Sequence, residues 1–439
     1  MEFSKHNIIS RIADSGDYYI VNLLSGNADI LAKEEAESFL NNSLNDPAEF
    51  IKKGYLVDRV AEETLYRTKY LDFIAERESD EVQLFFTPWY SCNFSCSYCF
   101  QDKCTNQIHE TTTQVIDAFL DYVSTEFVGR KKYVTIFGGE PLLSAPSKMK
   151  IIQYLIQECN RLNLDIAIVT NGYNIVDYIE ILKNARIREM QVTLDGAEKA
   201  HDARRMLKGG KGTFQHIVKG IDALLEYNIP VNLRMIVDKE NVNELVELAH
   251  FAIARGWTKH PAFKTALGRN YELHHCQTNN IRLYSRIEMY KEIYHLVKQH
   301  PEILEFHKPL FSISKFLFEN GELPNPLFDS CSGTKTEWAF DYAGKIYACT
   351  ATVGNRGDEL GTFYPEMQMN SVAIDEWQER DVLSIPECTN CNVRLACGGG
   401  CAAIAKNRTG SISAPDCRPV KELLEYGISL YSDIDITKL

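Results

Sequence analysis

Apolar residues along this chain follow two periods, one typical of strands and the other of helices. From about residue 81, short apolar runs alternate with segments in which apolar residues recur every three or four positions. The clearest helical segment has an apolar face made of Phe214, Ile217, Val218, Ile221, Leu224 and Leu225. The runs predict strands at 82–87, 133–137, 166–170, 190–194 and 231–237, with a weaker one at 262–265.

Alternation of strand and helix over this length predicts an α/β fold with a parallel sheet. Five or six such units predict a partial (β/α)6 barrel over residues 81–310. In barrels of this kind the chemistry lies in the loops that follow the carboxyl ends of the strands. Functional residues are therefore expected directly after the predicted strands.

The two ends of the chain have other patterns. Residues 1–80 predict a small α+β module, with a strand at 18–24 and a connecting helix at 62–78. Residues 311–439 are rich in cysteine and glycine and have few long periodic segments. That composition is typical of a loop-rich domain that bound metal stabilises in place of a large core.

Composition narrows the range of functions. Apolar residues make up 45% of the 439 residues and charged residues 24%, as in folded globular proteins. A net charge of −13 argues against a sequence-independent nucleic-acid partner, because phosphate binding needs a surplus of Lys and Arg. The chain has no apolar run of about 18 residues and no apolar segment typical of a signal peptide near its start. We expect a cytoplasmic protein with neither nucleic acid nor membrane as partner.

Ten of the 13 cysteines fall into two spaced groups, which are the main chemical signal. The first group is Cys92, Cys96 and Cys99, directly after the first predicted barrel strand. Three thiolates on one loop can bind a four-iron cluster and leave one iron open to another ligand. A structural zinc site is the alternative, but it needs four ligands.

The Cys-x3-Cys-x2-Cys loop, with the aromatic Tyr98 before its third cysteine, resembles the radical S-adenosylmethionine (SAM) superfamily. The resemblance implies a [4Fe–4S] cluster whose open iron binds the amino and carboxyl groups of SAM. It also implies reductive cleavage of SAM to methionine and a 5′-deoxyadenosyl radical, which abstracts a hydrogen from the substrate. Tyr98 is by the same resemblance a cofactor-binding residue.

Loops after the next strands fit this resemblance. The loop after the second strand is similar to the family motif that binds the amino group of SAM, and it consists of Gly138, Gly139, Glu140 and Pro141. Asn171, after the third strand, is similar to a loop residue that approaches the cofactor. A plain strand-to-helix turn is the alternative for the loop at residues 138–141.

Two charged residues follow the fourth predicted strand. Arg205 matches the family position whose guanidinium pairs with the SAM carboxylate, and a solvated loop is the alternative. Asp195 is predicted either to contact substrate or cofactor, as a catalytic residue, or to cap the following helix.

The second cysteine group closely resembles the SPASM domain, an extension of radical SAM enzymes that mature peptides and proteins. Two zinc sites are the alternative for these cysteines. The match includes Gly344, and the resemblance implies two auxiliary [4Fe–4S] clusters. The outer cluster would be held by Cys388, Cys391, Cys397 and Cys417. The inner cluster would be held by Cys331, Cys349 and Cys401.

The inner cluster is therefore one cysteine short. Some relatives have a further cysteine a few residues before the Cys331 position, but residues 324–329 contain none. We expect an open or non-cysteine-ligated iron, which a substrate thiolate can bind. The alternatives are a backbone atom, a water or a distant residue such as Cys276.

Together these resemblances imply a maturase of a ribosomally made peptide, which forms a thioether or a carbon–carbon crosslink. SAM and three [4Fe–4S] clusters are the implied cofactors, and a flavodoxin- or ferredoxin-type protein is the implied reductant. A precursor peptide with a leader is the implied substrate. Residues 1–80 resemble the winged-helix-like modules that capture a leader by strand addition, and a structural cap is the alternative.

Two other functions remain open at this point. An anaerobic sulfatase-maturating enzyme, which oxidises Ser or Cys to formylglycine, has the same cysteine pattern. A non-catalytic iron–sulfur electron-transfer protein would have the cysteines without needing the loop at Gly139 and Glu140.

Overall fold

A small α+β module occupies the first part of the computed structural model, which describes residues 1–99, 101, 111–270 and 282–432. Its strands are β1 (Glu2–Phe3), β2 (Ile8–Arg11), β3 (Tyr18–Asn22), β4 (Asn27–Leu31) and β5 (Leu56–Val57). Its helices are α1 (Lys33–Leu40), α2 (Ala48–Lys52) and α3 (Arg59–Ser79). The antiparallel sheet has the order β2-β3-β4, so β4 pairs on one side only among the described residues. Asp58 caps the long helix α3 by accepting hydrogen bonds from the backbone N–H groups of Val60 and Ala61.

The predicted barrel follows, with strands and helices in strict alternation at first. Its strands are β6 (Val82–Thr87), β7 (Lys132–Ile136), β8 (Asp165–Thr170), β9 (Ile187–Thr193), β10 (Val231–Val237) and β11 (Phe263–Arg269). Its helices are α4 (Thr113–Glu126), α5 (Pro146–Arg161), α6 (Ile175–Leu182), α7 (Glu198–Arg204), α8 (Phe214–Glu226), α9 (Glu244–Ala254) and α10 (Arg286–Gln299). The six strands pair in parallel in chain order, which confirms the predicted partial barrel.

Successive side chains of a barrel strand point alternately to the hydrophobic core and to the interior of the barrel. On β10, Val231, Leu233, Met235 and Val237 are buried in the main hydrophobic core, whereas Arg234 between them is half-buried. Each buried aliphatic side chain contributes about 1.5–3 kcal/mol relative to an exposed one. The opposite face of the strand is thus free to carry polar side chains into the barrel.

The C-terminal region was expected to be rich in loops, but it also extends the barrel sheet. Its strands are β12 (Glu337–Asp341), β13 (Lys345–Tyr347), β14 (Glu359–Thr362) and β15 (Gln368–Met369). Helix α11 (Ile303–Phe306) precedes this region, whose helices are α12 (Ser314–Asn320), α13 (Ser371–Gln378), α14 (Arg394–Cys397), α15 (Ala402–Thr409) and α16 (Val420–Ser432). Strand β12 pairs in parallel with β6, and β13 to β15 continue in antiparallel order, which gives a sheet of 10 strands.

Gly344 forms the tight turn between β12 and β13. Its φ of +77° lies in the left-handed region, and an added Cβ atom would lie 2.2 Å from the carbonyl oxygen of Tyr364. The positive φ and the lack of room for a Cβ atom both require glycine at residue 344. This requirement explains structurally why a glycine forms part of the cysteine pattern.

An aromatic cluster joins the N-terminal module to the C-terminal region. Phe328 is fully buried, and its ring lies 5.1 to 5.6 Å from the rings of Tyr66, Tyr70 and Phe73 on α3. The hydroxyl of Tyr70 also donates a 2.8 Å hydrogen bond to Asp381. Helix α3 is therefore anchored on the cysteine-rich region as well as on its own module. Within the described part of the chain, no helix combines the length and apolar character needed to cross a bilayer.

Candidate active site and cysteine clusters

A cavity of about 300 Å³ opens at the carboxyl ends of the barrel strands. Among the residues on its wall, those predicted from the sequence are Cys92, Cys96, Tyr98, Cys99, Gly138, Gly139, Asn171 and Arg205. Glu140, Pro141 and Asp195 do not line it. The cavity therefore brings together most of the predicted cofactor-binding residues from four separate loops.

The first cysteine loop is held by backbone hydrogen bonds to the segment after α7. The N–H groups of Ser95 and Ser97 donate to the carbonyl oxygens of Met206 and Arg204, at 2.9 and 3.2 Å. The side chain of Phe94 is buried below them and anchors the loop in the barrel core. The sequence thus fixes Cys92 and Cys96 on either side of an apolar anchor.

The three thiols of this loop lie near one another. Burial raises the pKa of Cys92 to about 12, and the Glu140 carboxylate and the Cys96 and Cys99 thiols raise it further. A metal cluster would reverse this effect, because its positive charge stabilises the thiolate form. The donor set therefore fits an iron–sulfur cluster, although its ligation stays a prediction.

Glu140 fastens two loops together from below the cavity. Its carboxylate accepts hydrogen bonds from the Thr170 hydroxyl and the Asn171 N–H, both at 2.6 Å, and from the Leu142 N–H at 2.8 Å. Burial raises its pKa to about 7. The side chain thus positions Asn171, and the predicted binding of a ligand amino group by Glu140 stays a prediction.

The glycines before Glu140 allow the close approach that the sequence predicted. Gly139 has a φ of +51°, and an added Cβ atom would lie 2.4 Å from the carbonyl oxygen of Ser91. Because Cys92 follows Ser91, the turn packs backbone to backbone against the cysteine loop.

A network of charges surrounds Tyr98 at the cavity wall. Its hydroxyl donates to Asp195 at 2.5 Å and accepts from the Arg205 guanidinium at 2.7 Å. Asp195 is fully buried and also accepts from the backbone N–H of Ile236 at 3.1 Å. Asp195 therefore positions Tyr98 in this structure, and the predicted contact with substrate or cofactor stays untested.

The two neighbouring arginines have different surroundings. Arg204 donates to both carboxylate oxygens of Asp238, at 3.1 and 3.0 Å, and to Asp195 at 3.3 Å. Arg205 lines the cavity, and its Nε is buried without a hydrogen-bond partner among the described residues. A buried, unsatisfied donor facing a cavity fits a carboxylate-bearing ligand such as SAM.

Several functional candidates were missed in the sequence. Asp238 and Asn270 directly follow β10 and β11, and a 3.0 Å hydrogen bond joins them. Their position could have identified them, because the other candidates were also chosen as polar residues that follow a predicted barrel strand. His201 gave no such signal: it is buried and accepts from the Asp195 N–H at 3.2 Å. Burial lowers the pKa of His201 well below its ordinary value, and Arg205 and Arg204 lower it further.

Members of each predicted C-terminal cysteine set influence one another electrostatically, and the two-cluster ligation stays a prediction. Burial raises the pKa of Cys388 to about 11, and the next contributions come from Cys397, Cys391 and Cys417. These four residues are the predicted outer set, and their mutual influence places them together. The buried Arg380 supports the surrounding loops by donating to the carbonyl oxygens of Gly399, Gly400, Ile412 and Ala414.

The predicted inner set forms a second group beside the barrel cavity. Burial raises the pKa of Cys349, followed by contributions from Glu337, Cys331 and Cys401. Thr350 and Ala351, which follow Cys349 in the chain, line the cavity itself. The inner set therefore lies directly behind one wall of the candidate active site.

No three Cys, His, Asp or Glu side chains within residues 1–99, 101, 111–270 and 282–432 are grouped to hold a single metal ion. Cys276, an alternative ligand for the inner cluster, lies outside the described residues. A second cavity, of about 490 Å³, lies between α10 and the outer set and is lined by Cys417, Arg286 and Arg408. Arg269 lines both cavities.

Residues 86–252, which run from the end of β6 to α9, match the family model described as the Radical SAM superfamily. Among its curated relatives, the GTP 3′,8-cyclase of Campylobacter jejuni subsp. doylei is 31% identical over 163 residues, which cover 37% of this chain and 49% of that enzyme. The chain spans about half the length of the first curated relatives that it matches.

Two solved structures share the fold over most of the chain. Native anSMEcpe with bound AdoMet and Cp18Cys peptide is 16% identical, with a TM-score of 0.62 over 82% of this chain and 100% of that one. SuiB of Streptococcus suis bound to the precursor peptide SuiA is 14% identical, with a TM-score of 0.55 over 95% of this chain and 99% of that one. The similarity confirms the fold, a partial barrel with a C-terminal extension.

Proposed function

We propose that this protein is a radical SAM maturase that forms a thioether or carbon–carbon crosslink in a ribosomally made peptide. The observation that carries the proposal is the convergence of Cys92, Cys96, Cys99 and Arg205 on one cavity that has the inner cysteine set behind its wall. The peptide-bound relatives anSMEcpe and SuiB support a peptide as the substrate class.

SAM bound to the first cluster would supply a 5′-deoxyadenosyl radical for hydrogen abstraction. The protein's part is to position the cofactor and keep water away from it. The guanidinium of Arg205, held by Tyr98, would bind the carboxylate end of SAM. The turn at Gly138 and Gly139 would let the backbone approach the amino end.

The seven C-terminal cysteines would hold two auxiliary clusters. These clusters would accept the electron that remains after bond formation. The outer set has an exposed member, Cys417, in the second cavity. A flavodoxin- or ferredoxin-type protein would reach the buried centres from that side.

The N-terminal module would bind the leader of the precursor peptide. Strand β4 pairs only with β3 within the described residues, so its other edge can accept a further strand. Ile30 on this strand is 56% exposed and offers an apolar contact to such a peptide.

Formylglycine formation, as in a sulfatase-maturating enzyme, is the second candidate. The higher TM-score of anSMEcpe favours it, whereas the wider coverage by SuiB, 95% against 82% of this chain, favours the crosslinking maturase. GTP cyclisation has less support, because the similarity to the C. jejuni cyclase covers 37% of the chain.

Anaerobic reconstitution tests the proposal directly. We expect about 12 irons per chain from three clusters, little zinc, and release of 5′-deoxyadenosine from SAM under reduction. Substitution of Cys92, Cys96 and Cys99 by Ala should abolish that release while about eight irons remain. Co-expression with a candidate precursor peptide that contains cysteine, followed by mass spectrometry, distinguishes a crosslink from formylglycine. Absence of 5′-deoxyadenosine from fully loaded protein would refute the radical enzyme.

A further inference from the structure

The inner cysteine set provides three thiols, but a four-iron cluster has four corners to ligate. Two carboxylates affect these thiols electrostatically: Asp329 raises the pKa of Cys331 after burial does, and Glu337 does the same at Cys349. Their surroundings decide which of the two is available to a metal.

Asp329 is committed to protein cations. It is 6% exposed, it forms an ion pair with the buried Lys335, and Arg77 and Arg380 lie 3.7 and 3.8 Å from it. Asp329 also accepts a 2.9 Å hydrogen bond from the backbone N–H of Cys331. A carboxylate neutralised by three cations is a poor candidate for iron.

Glu337 has the opposite surroundings. It lies on β12 and forms no ion pair with any residue of the described ranges. Its Oε1 accepts the backbone N–H of Thr350 at 2.9 Å, and its Oε2 accepts the Ser332 hydroxyl at 2.7 Å. These two partners directly follow Cys349 and Cys331, so one carboxylate spans the two segments that carry inner-set thiols.

The hydrogen bonds leave Glu337 able to act as a ligand. An ionised carboxylate has about four lone-pair sites, and the two donors occupy one on each oxygen. Carboxylate oxygens are established ligands of iron in proteins. Glu337 is half-buried, and no cationic side chain of the described residues neutralises its carboxylate.

We propose that the carboxylate of Glu337 supplies the fourth ligand of the inner cluster, as an oxygen donor in place of the missing cysteine. This inference rests on the proposed function, because it requires the auxiliary clusters to be present. An oxygen ligand protects the fourth iron in the resting enzyme and is displaced more easily by a substrate thiolate than a cysteine would be.

The test uses the full chain with Cys92, Cys96 and Cys99 replaced by Ala, so that only auxiliary clusters bind. The parent, Glu337→Gln, Glu337→Cys and the exposed control Glu366→Gln are reconstituted with ⁵⁷Fe and titrated with ferricyanide. Gln keeps both hydrogen bonds, since its amide oxygen can accept from Thr350 while its NH₂ donates to Ser332. When a [4Fe–4S]²⁺ cluster loses its unprotected iron, one electron passes to ferricyanide, one Fe²⁺ leaves, and a [3Fe–4S]⁺ cluster remains.

We expect the parent and Glu366→Gln to keep about eight irons and to show one Mössbauer subsite with oxygen ligation. Glu337→Gln should lose one iron per chain and gain a [3Fe–4S]⁺ electron paramagnetic resonance signal, whereas Glu337→Cys should keep all irons and lose the oxygen-ligated subsite. The unchanged outer-cluster signal serves as the measure of folding. Identical spectra for the parent and Glu337→Gln would overturn only the assignment of Glu337 as a ligand. A parent protein without C-terminal iron would overturn both that assignment and the proposed auxiliary clusters.

Discussion

At the residue scale, Arg204 and Arg205 stand side by side in the sequence, yet their surroundings give them separate tasks. Arg204 is neutralised by two buried carboxylates, those of Asp195 and Asp238. Arg205 lines the cavity, donates to the Tyr98 hydroxyl, and has a buried Nε without a hydrogen-bond partner among the described residues. The sequence alone could not separate them, because they are adjacent and identical in type and the deciding Asp238 lies more than 30 residues further along the chain, directly after β10.

This difference predicts distinct effects of the same substitution. Arg205→Gln should weaken SAM binding at least tenfold, or by about 1.4 kcal/mol, without loss of iron, because a charge-assisted contact disappears. Arg204→Gln should lower the free energy of unfolding by roughly 3–5 kcal/mol, because it leaves buried carboxylates unpaired. Equilibrium dialysis with SAM and urea denaturation measure the two effects. A similar loss of stability in both variants would contradict the assignment.

The buried Glu140 predicts a pH dependence of stability. Burial raises its pKa from the ordinary 4.5 to about 7 in the folded protein, so the folded state binds the proton more tightly than the unfolded state. The stabilisation by this group is therefore complete below pH 4.5 and is lost as the pH rises to 7, at about 1.4 kcal/mol per pH unit.

Comparison with Glu140→Gln isolates this contribution from those of other groups. Urea unfolding of both proteins at pH 5, 6, 7 and 8 should show the advantage of the wild type declining up to pH 7 and then levelling off. A difference that does not vary with pH would show that Glu140 is ionised in the folded protein throughout this range.

At the element scale, the cysteine loops and the strands before them were predictable because both are local patterns. The Cys92 loop and the Gly139 turn each follow an apolar run, and the structure places them at one cavity. The roles of individual residues within those loops were harder to predict from the sequence. Glu140 accepts hydrogen bonds from the loop after β8, which lies about 30 residues further along the chain, and no local pattern indicates that pairing.

The open edge of β4 gives a prediction for the N-terminal module. Ile30→Glu should weaken binding of a fluorescently labelled precursor peptide at least tenfold, because it places a charge where an added strand would pack. Val128→Glu, at a side chain 76% exposed beyond α4, is the matched control and should bind as the wild type does. Fluorescence anisotropy measures both affinities. Equal binding by the two variants would favour a structural cap in place of a leader-binding module.

At the scale of the whole molecule, the barrel and the C-terminal region share one sheet. This arrangement was not predictable from the sequence, because β6 and β12 are separated by about 250 residues and neither has a pattern that specifies its partner. The sequence suggested a loop-rich domain attached to the barrel, whereas main-chain pairing makes β12 the neighbour of the first barrel strand.

Removal of the C-terminal region should therefore damage the barrel. A chain ending at residue 310 exposes the main-chain edge of β6 and the buried ring of Phe85, and we expect it to aggregate. A chain ending at residue 432 keeps all of the described strands and serves as the control. Sedimentation and circular dichroism of the two chains test this expectation. A monomeric, folded 1–310 chain would show that the barrel does not depend on β12.

The ladder between β6 and β12 also bears on the speed of electron movement. Cys92 follows one of these strands, and Cys331 and Cys349 flank the hairpin that begins with the other. Electron tunnelling between redox centres slows steeply with each added ångström. A hinge between the Cys92 loop and the inner cysteine set would therefore make the rate of electron transfer fluctuate. In the proposed enzyme, the continuous row of backbone hydrogen bonds between β6 and β12 would remove that hinge and keep the distance between the two cysteine sets constant.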